Sequence, residues 1–125
     1  MIFGIGTDIV STPRIAAAWA RHGKAFAQRI LAPQEWDGFV ASTQPARFLA
    51  KRFAAKEAFA KALGTGIRAP ATWHNIRVAH DELGKPSLAF DPELTALLVR
   101  RAIRHHHLSI SDEKDMAAAF VILEM

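Results

Sequence analysis

Cysteine is absent from the 125 residues of the chain, which excludes disulfide bonds and zinc–thiolate sites. The first residues, MIFGIGTDIV, have no basic segment and reach Asp8 too early for a secretory signal peptide. No apolar run approaches the ~18 residues that a membrane-spanning helix needs. We therefore expect a cytoplasmic protein that has no membrane partner.

Half of the residues are apolar, which is enough to build the core of a single domain spanning residues 1–125. Lysine and arginine number 16 and the acids number 12, which leaves a formal charge of +4. This charge favours an anionic partner such as a phosphorylated cofactor or an acidic protein. No basic run is interleaved with aromatic residues as in single-strand binders, so we expect no nucleic-acid partner.

The hydrophobic pattern predicts a mixed α+β fold rather than a regular alternation of strands and helices. Ile5, Thr7 and Ile9 alternate along a first strand from Ile2 to Val10, which lacks the third glycine of a dinucleotide-binding turn. The other predicted elements are a short helix around Pro33 and Glu35, helices from Arg47 to Leu63 and from Asp91 to about Arg104, and strands from Trp73 to His80, Ser87 to Phe90, His107 to Ser111 and Ala117 to Leu123.

The predicted helix from Arg47 to Leu63 carries charges where an amphipathic helix does not place them. On a helical wheel, Arg52 and Lys56 fall within the arc of the phenylalanine and leucine side chains. Glu57 lies at the edge of that arc, and Lys61 follows one turn later. Glu57 and Lys61 also fit an ordinary i,i+4 surface pair. Charges among phenylalanine side chains lose hydration, however, so they need a partner that offsets the loss.

A divalent cation is a candidate partner for Glu57, and the phosphate oxygens of a substrate are candidate partners for the lysines. Mg²⁺ takes one or two carboxylates from a protein and completes its coordination with water and substrate phosphate. Lysine side chains can meet the same phosphate oxygens. Glu57 supplies one carboxylate, and Asp8, at the end of the glycine-rich stretch GIGTD, is the candidate for the second. The alternative for Asp8 is a turn residue at the end of a strand.

Four stretches occur in order along the chain: GIGTDIV at the start, RFAAKEAFAKALGTG in the middle, ELGKP in a turn and HLSISD near the end. Together they closely resemble the holo-acyl-carrier-protein synthases, the small bacterial type of 4′-phosphopantetheinyl transferase, over essentially the whole chain. The resemblance implies a small mixed or antiparallel sheet packed with a long central helix. It also implies a homotrimer with active sites between the subunits.

The activity implied by this resemblance is the transfer of the 4′-phosphopantetheine arm of coenzyme A to a serine of an apo acyl carrier protein, a step of fatty acid biosynthesis. Such enzymes require Mg²⁺ and release adenosine 3′,5′-bisphosphate. By motif match, Asp8 and Glu57 are the implied metal ligands, and together with Lys61 they form the implied catalytic set. The implied coenzyme A contacts are Arg52, Lys56, Lys61, Gly64, Thr65, Gly66, Lys85, Pro86 and His107.

Phosphoryl transfer depends mainly on positioning and on the neutralisation of charge. Lys61, together with Lys56, is therefore expected to add positive charge where negative charge develops. Three acceptors fit the proton of the attacking serine: Glu57, Asp8 and a water on the metal. The departures from the family's common pattern are Ser11-Thr12-Pro13 before Arg14, Lys51 in place of glycine, and Asp112 in place of histidine.

The first helix, predicted to have Thr12 as its cap and Pro13 in its first position and to include Phe26, carries a stripe of basic residues. Arg14 and Arg21 are seven residues apart, which is two helical turns, and Lys24 follows one turn later. Carrier proteins of the implied class are acidic, so this stripe is a candidate docking surface. The alternative is a solvated helix face.

Three adjacent histidines, His105 to His107, suggest a metal site at first sight. Neighbouring residues at a helix end point in different directions, so three in a row rarely share one ion. We expect one functional histidine, His107, and two solvated ones.

Two other functions fit parts of the sequence. A non-enzymatic module that binds nucleotides or acidic proteins would account for the net charge and the basic helix, but it leaves Asp8 and Glu57 without a role. A hydrolase that cleaves pyrophosphates would use the same metal. Product analysis with coenzyme A and apo carrier protein distinguishes the three functions.

Overall fold

The computed structural model of the chain describes all 125 residues. Its helices are α1 (Thr12–His22), α2 (Lys24–Ile30), α3 (Trp36–Ala41), α4 (Pro45–Leu63) and α5 (Pro92–Arg100), with a 3₁₀ turn at Pro33–Glu35. Its strands are β1 (Ile2–Ser11), β2 (Ile76–His80), β3 (Pro86–Phe90), β4 (His105–Asp112) and β5 (Met116–Glu124). The α+β class is confirmed. None of the helices combines the length and the apolar composition that crossing a bilayer demands.

The strands form two separate antiparallel sheets. One has three strands in the order β1-β5-β4, and the other is the β2–β3 hairpin. Along the central strand β5, alternate residues from Ala117 to Leu123 are buried, whereas Met116 and Phe120 on the opposite face are exposed. This period of two is typical of a sheet that covers the core with one face only.

The long helix α4 lies directly against β1, because β1 has no side chain at two contact points. A Cβ added to Gly6 would lie 2.0 Å from the carbonyl oxygen of Ala58, and one added to Gly4 would lie 2.1 Å from that of Ala62. Glycine is therefore required for this approach of the two backbones. Asp8 is the next residue of the same row along the strand, so its side chain also faces α4.

Two hydrophobic clusters surround α4. The larger lies between α4, the three-stranded sheet, the hairpin and α5, and Phe59, Ile76 and Leu94 are fully buried in it. The smaller lies between α4 and the helices α1 to α3, and it includes Ile15 and Leu49. Because α4 contributes to both clusters, its alanine and phenylalanine residues are buried on several sides.

Three predicted boundaries moved by a few residues. Ser11, rather than Thr12, caps α1, because its hydroxyl accepts a hydrogen bond from a backbone N–H of the first turn at 3.3 Å. The last predicted helix ends sooner than expected, where Ala102 takes a positive φ of 58°. Strand β2 begins at Ile76 instead of Trp73. Helix α4 ends at Leu63 as predicted, and Gly64 follows as its C-terminal cap.

The helix predicted to include Phe26 is interrupted at Gly23, whose φ of 57° is one that glycine adopts readily. The chain continues as α2 in a new direction. Arg14 and Arg21 therefore share a face of α1, whereas Lys24 begins the next helix. All three side chains are exposed, and none of them forms an ion pair.

Candidate active site

Asp8, Glu57 and Lys61 meet where β1 packs against α4, a place that we call the β1–α4 groove. The ammonium group of Lys61 donates to Asp8 Oδ1 at 3.1 Å and to the carbonyl oxygen of Thr7 at 3.0 Å. Lys61 is exposed, whereas the side chain of Asp8 is only 15% exposed. Glu57 lies one turn before Lys61 on the helix. The two acids that the sequence places far apart are thus brought to one site.

The carboxyl group of Glu57 carries an electrostatic strain that a cation would relieve. Burial raises the pKa of Glu57, and the neighbouring charge of Asp8 raises it further, while Lys61 acts in the opposite direction. Two carboxylates that repel each other beside a basic side chain match the donor set that Mg²⁺ takes from proteins. No group of three or more histidine, aspartate or glutamate side chains suited to a metal ion occurs in the chain.

The predicted loop Gly64–Gly66 continues from the last turn of α4, which carries Lys61. Gly64 ends the helix with a φ of 88°, and Gly66 also has a positive φ, 67°. Both conformations favour glycine. No heavy atom lies within 4 Å of the Cβ position of either glycine, so the loop leaves open space beside the end of the helix.

Two other predicted coenzyme A contacts, Lys85 and Pro86, lie at the β2–β3 turn, away from the acid pair. Pro86 lines a cleft together with Lys51, Arg52, His80 and Asp112, among others. None of the three residues of the β1–α4 groove lines this cleft. Both single-residue departures from the family pattern, Lys51 and Asp112, do line it.

Asp112 is engaged within the chain. Its Oδ2 accepts hydrogen bonds from Arg47 Nη2 at 2.6 Å and from Nε at 3.0 Å. This pair joins the end of β4 to the start of α4, and the cleft lies beside it.

His107 lies at a third place, on the outer face of the three-stranded sheet. Its Nε2 lies 2.6 Å from Glu124 Oε1, and this hydrogen bond lowers the pKa of the Glu124 carboxyl. The three adjacent histidines belong to strand β4, not to a helix end as predicted. His106 therefore points to the opposite face, where it packs edge-on against Phe90.

Lys56 does not face any of these places. Its ammonium group is fully buried, and it donates to Glu35 Oε1 at 2.5 Å and to the carbonyl oxygens of Ile30 and Trp73 at 2.7 and 2.8 Å. A lysine has three N–H donors, and here each has a protein acceptor. No donor remains for a phosphate oxygen, so we assign Lys56 a structural role instead of the predicted coenzyme A contact.

Glu35 is the residue that sequence analysis missed. It is 5% exposed, and Arg52 donates to it at 2.7 Å while Lys56 binds its other oxygen. The backbone N–H groups of Ala32 and Val78 donate to it as well, at 2.9 and 3.0 Å. The basic residues on the apolar arc of α4 were predicted to need a partner, and this carboxylate is that partner.

The ionisation of the buried triad follows from these contacts. Burial acts to raise the pKa of Glu35, but the charge of Lys56 and the hydrogen bonds from Lys56, Val78 and Arg52 outweigh it and hold that pKa below its usual value. Burial lowers the pKa of Lys56 to about 8, although Glu35 acts to raise it. Glu35 is thus a carboxylate at neutral pH, with two cations beside it.

Between α2 and α4, a second cleft is lined by Phe26, Arg29, Ile30, Phe53 and Trp73. The rings of Phe53 and Trp73 lie 5.1 Å apart. Arg29 is exposed on α2, so this apolar cleft has a cation at its edge. We refer to it below as the Phe26–Trp73 cleft.

Comparison with known proteins shows the family of the chain. Residues 4–121 match the 4′-phosphopantetheinyl transferase superfamily. A holo-acyl-carrier-protein synthase of Nitrosospira multiformis is 57% identical over 99% of both chains. The crystal structure of holo-acyl-carrier-protein synthase from Neisseria meningitidis superposes with a TM-score of 0.97 at 51% identity, and each chain covers the other fully.

A further relative was solved with a ligand. The holo-acyl-carrier-protein synthase of Bacillus anthracis, in complex with CoA (3′,5′-ADP), has a TM-score of 0.81 and 38% identity, with 98% of this chain and 96% of that one covered. The match over nearly the whole chain shows the family. The chain belongs to the 4′-phosphopantetheinyl transferase superfamily and, within it, to the holo-acyl-carrier-protein synthases.

Proposed function

We propose that this enzyme transfers the 4′-phosphopantetheine arm of coenzyme A to a serine of an apo acyl carrier protein, with the release of adenosine 3′,5′-bisphosphate. The observation that carries the proposal is the meeting of Asp8, Glu57 and Lys61 in one groove of a chain that belongs to this family. A module that only binds acidic partners would have no use for two mutually repelling carboxylates.

Asp8 and Glu57 are the residues that would hold Mg²⁺. The negative charge of the two side chains and the raised pKa of Glu57 fit a divalent cation. When bound there, the ion supplies positive charge that neutralises the diphosphate of coenzyme A. Lys61 now donates to Asp8 and is exposed, so its ammonium group is free to turn to a phosphate oxygen of the substrate.

The coenzyme A site that we propose is composite. Within one chain, the predicted contacts lie at three separate places: the β1–α4 groove, the cleft beside Pro86, and His107 on the outer face of the sheet. A homotrimer would bring the cleft of one copy to the groove of the next. The outer face of the three-stranded sheet presents four exposed large apolar side chains, those of Ile5, Ile9, Met116 and Phe120. A group of exposed apolar side chains on one sheet face is typical of an interface.

The acidic carrier protein would dock on the cations of α1 and α2. Arg14, Arg21, Lys24 and Arg29 are all exposed. The Phe26–Trp73 cleft beside Arg29 adds an apolar surface. A basic rim around apolar side chains suits an acidic partner with an apolar centre, because charge steers the encounter and burial holds the complex.

The decisive experiment combines the chain, coenzyme A, Mg²⁺ and an apo acyl carrier protein, followed by mass spectrometry of the carrier. A mass gain of one phosphopantetheine group per carrier, together with release of the bisphosphate, supports the proposal. Bisphosphate release with an unmodified carrier would indicate hydrolysis, and no turnover would indicate a binding module. Asp8→Asn should lose the transfer, while Asp37→Asn, a change of an exposed acid outside the groove, should keep it.

A charge-reversal experiment tests the docking surface separately. Changing Arg14 and Arg21 to glutamate should raise the KM for the carrier protein much more than the KM for coenzyme A, because the proposed coenzyme A site includes no residue of α1. Equal changes in both constants would reject a docking role for these arginines.

A further inference from the structure

The buried ammonium group of Lys56 joins segments that are distant in sequence. Ile30 lies 26 residues before it, and Trp73 lies 17 residues after it. Ile30 is the last residue of α2, and Trp73 belongs to the segment between α4 and β2. One side chain of α4 therefore holds two backbone carbonyls, one on each side of the Phe26–Trp73 cleft.

Removing the Lys56 ammonium group would leave these two carbonyl groups without a donor, whereas Glu35 would keep most of its donors. Glu35 would keep the guanidinium of Arg52 and two backbone N–H donors. No side chain other than that of Lys56 donates a hydrogen bond to the carbonyl oxygen of Ile30 or of Trp73. Buried carbonyls without a donor are unfavourable, so the segments that carry them would shift toward water.

The segments held in this way carry the walls of the Phe26–Trp73 cleft. Phe26 and Arg29 lie on α2, Trp73 adjoins its own bonded carbonyl, and Phe53 of α4 packs against its ring. A second tie joins the same two segments at the surface, where His74 Nε2 lies 2.6 Å from the carbonyl oxygen of Gln28. The two walls are therefore connected both beneath the cleft and beside it.

From this geometry we infer that Lys56 is a positioning residue for the carrier protein: it sets the spacing of the two walls of the Phe26–Trp73 cleft without touching either substrate. The inference rests on the proposed function, because it needs the carrier to dock at this cleft. It gives the sequence motif Lys56-Glu57 two roles, since Glu57 faces the β1–α4 groove while its neighbour holds the docking surface.

The test is a comparison of the two Michaelis constants in Lys56→Met, a change that keeps the approximate length of the side chain and removes its ammonium group. We expect the KM for apo carrier protein to rise about 10-fold, which corresponds to about 1.4 kcal/mol of lost docking. The KM for coenzyme A should stay unchanged. Hydrogen exchange should become faster at the amides of residues 24–31 and 71–75, while those at the centre of α4 stay protected.

Arg77→Met is the matched control, because it removes a partly buried ion pair with Asp91 close to the same core and touches neither wall of the cleft. It should lower stability and leave both KM values as they are. The inference would be overturned if Lys56→Met raised the KM for carrier protein no more than Arg77→Met does.

His74→Leu keeps the inference testable if Lys56→Met does not fold. His74 is exposed, so its loss leaves the core intact, and it should raise the carrier KM about two-fold to three-fold. If the KM for carrier protein did not rise in His74→Leu, the spacing of the two walls would not govern carrier binding, and the positioning role of Lys56 would be contradicted. Failure of the wild-type chain to modify any carrier would instead refute the proposed function, so the two failures are distinct.

Discussion

Replacing Glu35 by glutamine is the sharpest test of the buried triad. The change keeps the shape of the side chain and removes its charge. Lys56, which is 0% exposed, and Arg52, which is 9% exposed, would then have no anionic partner. The amide nitrogen would also face N–H donors where a carboxylate oxygen now accepts them.

The size of the effect follows from this burial. Breaking a buried ion pair by the removal of one partner costs about 3–5 kcal/mol. A domain is stable by only about 5–15 kcal/mol, so Glu35→Gln should remove about a fifth of the stability or more. For a chain of this size, ~4 °C per kcal/mol converts the loss to a Tm lower by about 12–20 °C.

The assay is urea unfolding and thermal melting, with Asp37→Asn as the matched control. Asp37 is exposed, lies two residues further along the chain and forms no ion pair, so its loss should change stability by about 0.5 kcal/mol or less. Because the pKa of Glu35 is lowered in the folded state, its contribution is fully present above the usual glutamate pKa. The contribution is lost as the pH falls through the folded-state value, so the gap between wild type and Glu35→Gln should narrow in acid.

Two results would refute the reasoning. One is a loss below ~1 kcal/mol, which would mean that water or movement compensates the buried cations. The other is strict additivity in the double variant Glu35→Gln with Lys56→Met. Removing both partners should recover part of the loss, because contacting residues are energetically coupled.

Three further predictions concern the groove and the sheet. Gly6→Ala should cost about 1–3 kcal/mol and reduce transfer, because the new methyl group would push β1 away from α4, whereas Gly38→Ala, with 3.6 Å to its nearest neighbour, should be neutral or stabilising in unfolding experiments. Glu57→Gln should lower kcat about 100-fold or more and yet raise the Tm of the metal-free protein at pH 7. The sign follows from the raised pKa of Glu57, because ionising this carboxyl group in the folded state costs stability. The gain in Tm of Glu57→Gln should therefore vanish as the pH falls below the usual glutamate pKa. A gain seen only at low pH would contradict the repulsion between Glu57 and Asp8. Phe120→Asp should convert the proposed trimer to smaller species in light scattering, and an unchanged mass would exclude this sheet face as the interface.

The environment of the basic residues of α4 was predictable from the sequence only in part. The wheel predicted correctly that Arg52 and Lys56 lie among apolar side chains and need a partner. It could not find that partner, because Glu35 lies 17 and 21 residues away from them and belongs to an unremarkable short turn. Only the packing of that turn against α4 brings the carboxylate to the two cations. A phosphate was the partner expected from the motif.

The acid pair shows the opposite case. Asp8 follows glycines at every second position of a strand, and it was predicted from the sequence to share one cation with Glu57. Their meeting required one further condition, the close approach of β1 to α4, and the glycines that permit it are visible in the sequence.

The local features of this chain follow from its sequence alone. These are the segments that form strands, the residue at which α4 ends, and the residue types that could hold a cation. Periodicity and glycine placement act over a few neighbouring residues, so they can be read without a structure. The tertiary structure alone decided which charge meets which, since that depends on the packing of distant segments. Lys61 is left exposed beside Asp8, while Lys56, five residues earlier on the same helix, is enclosed by three carbonyl and carboxylate oxygens.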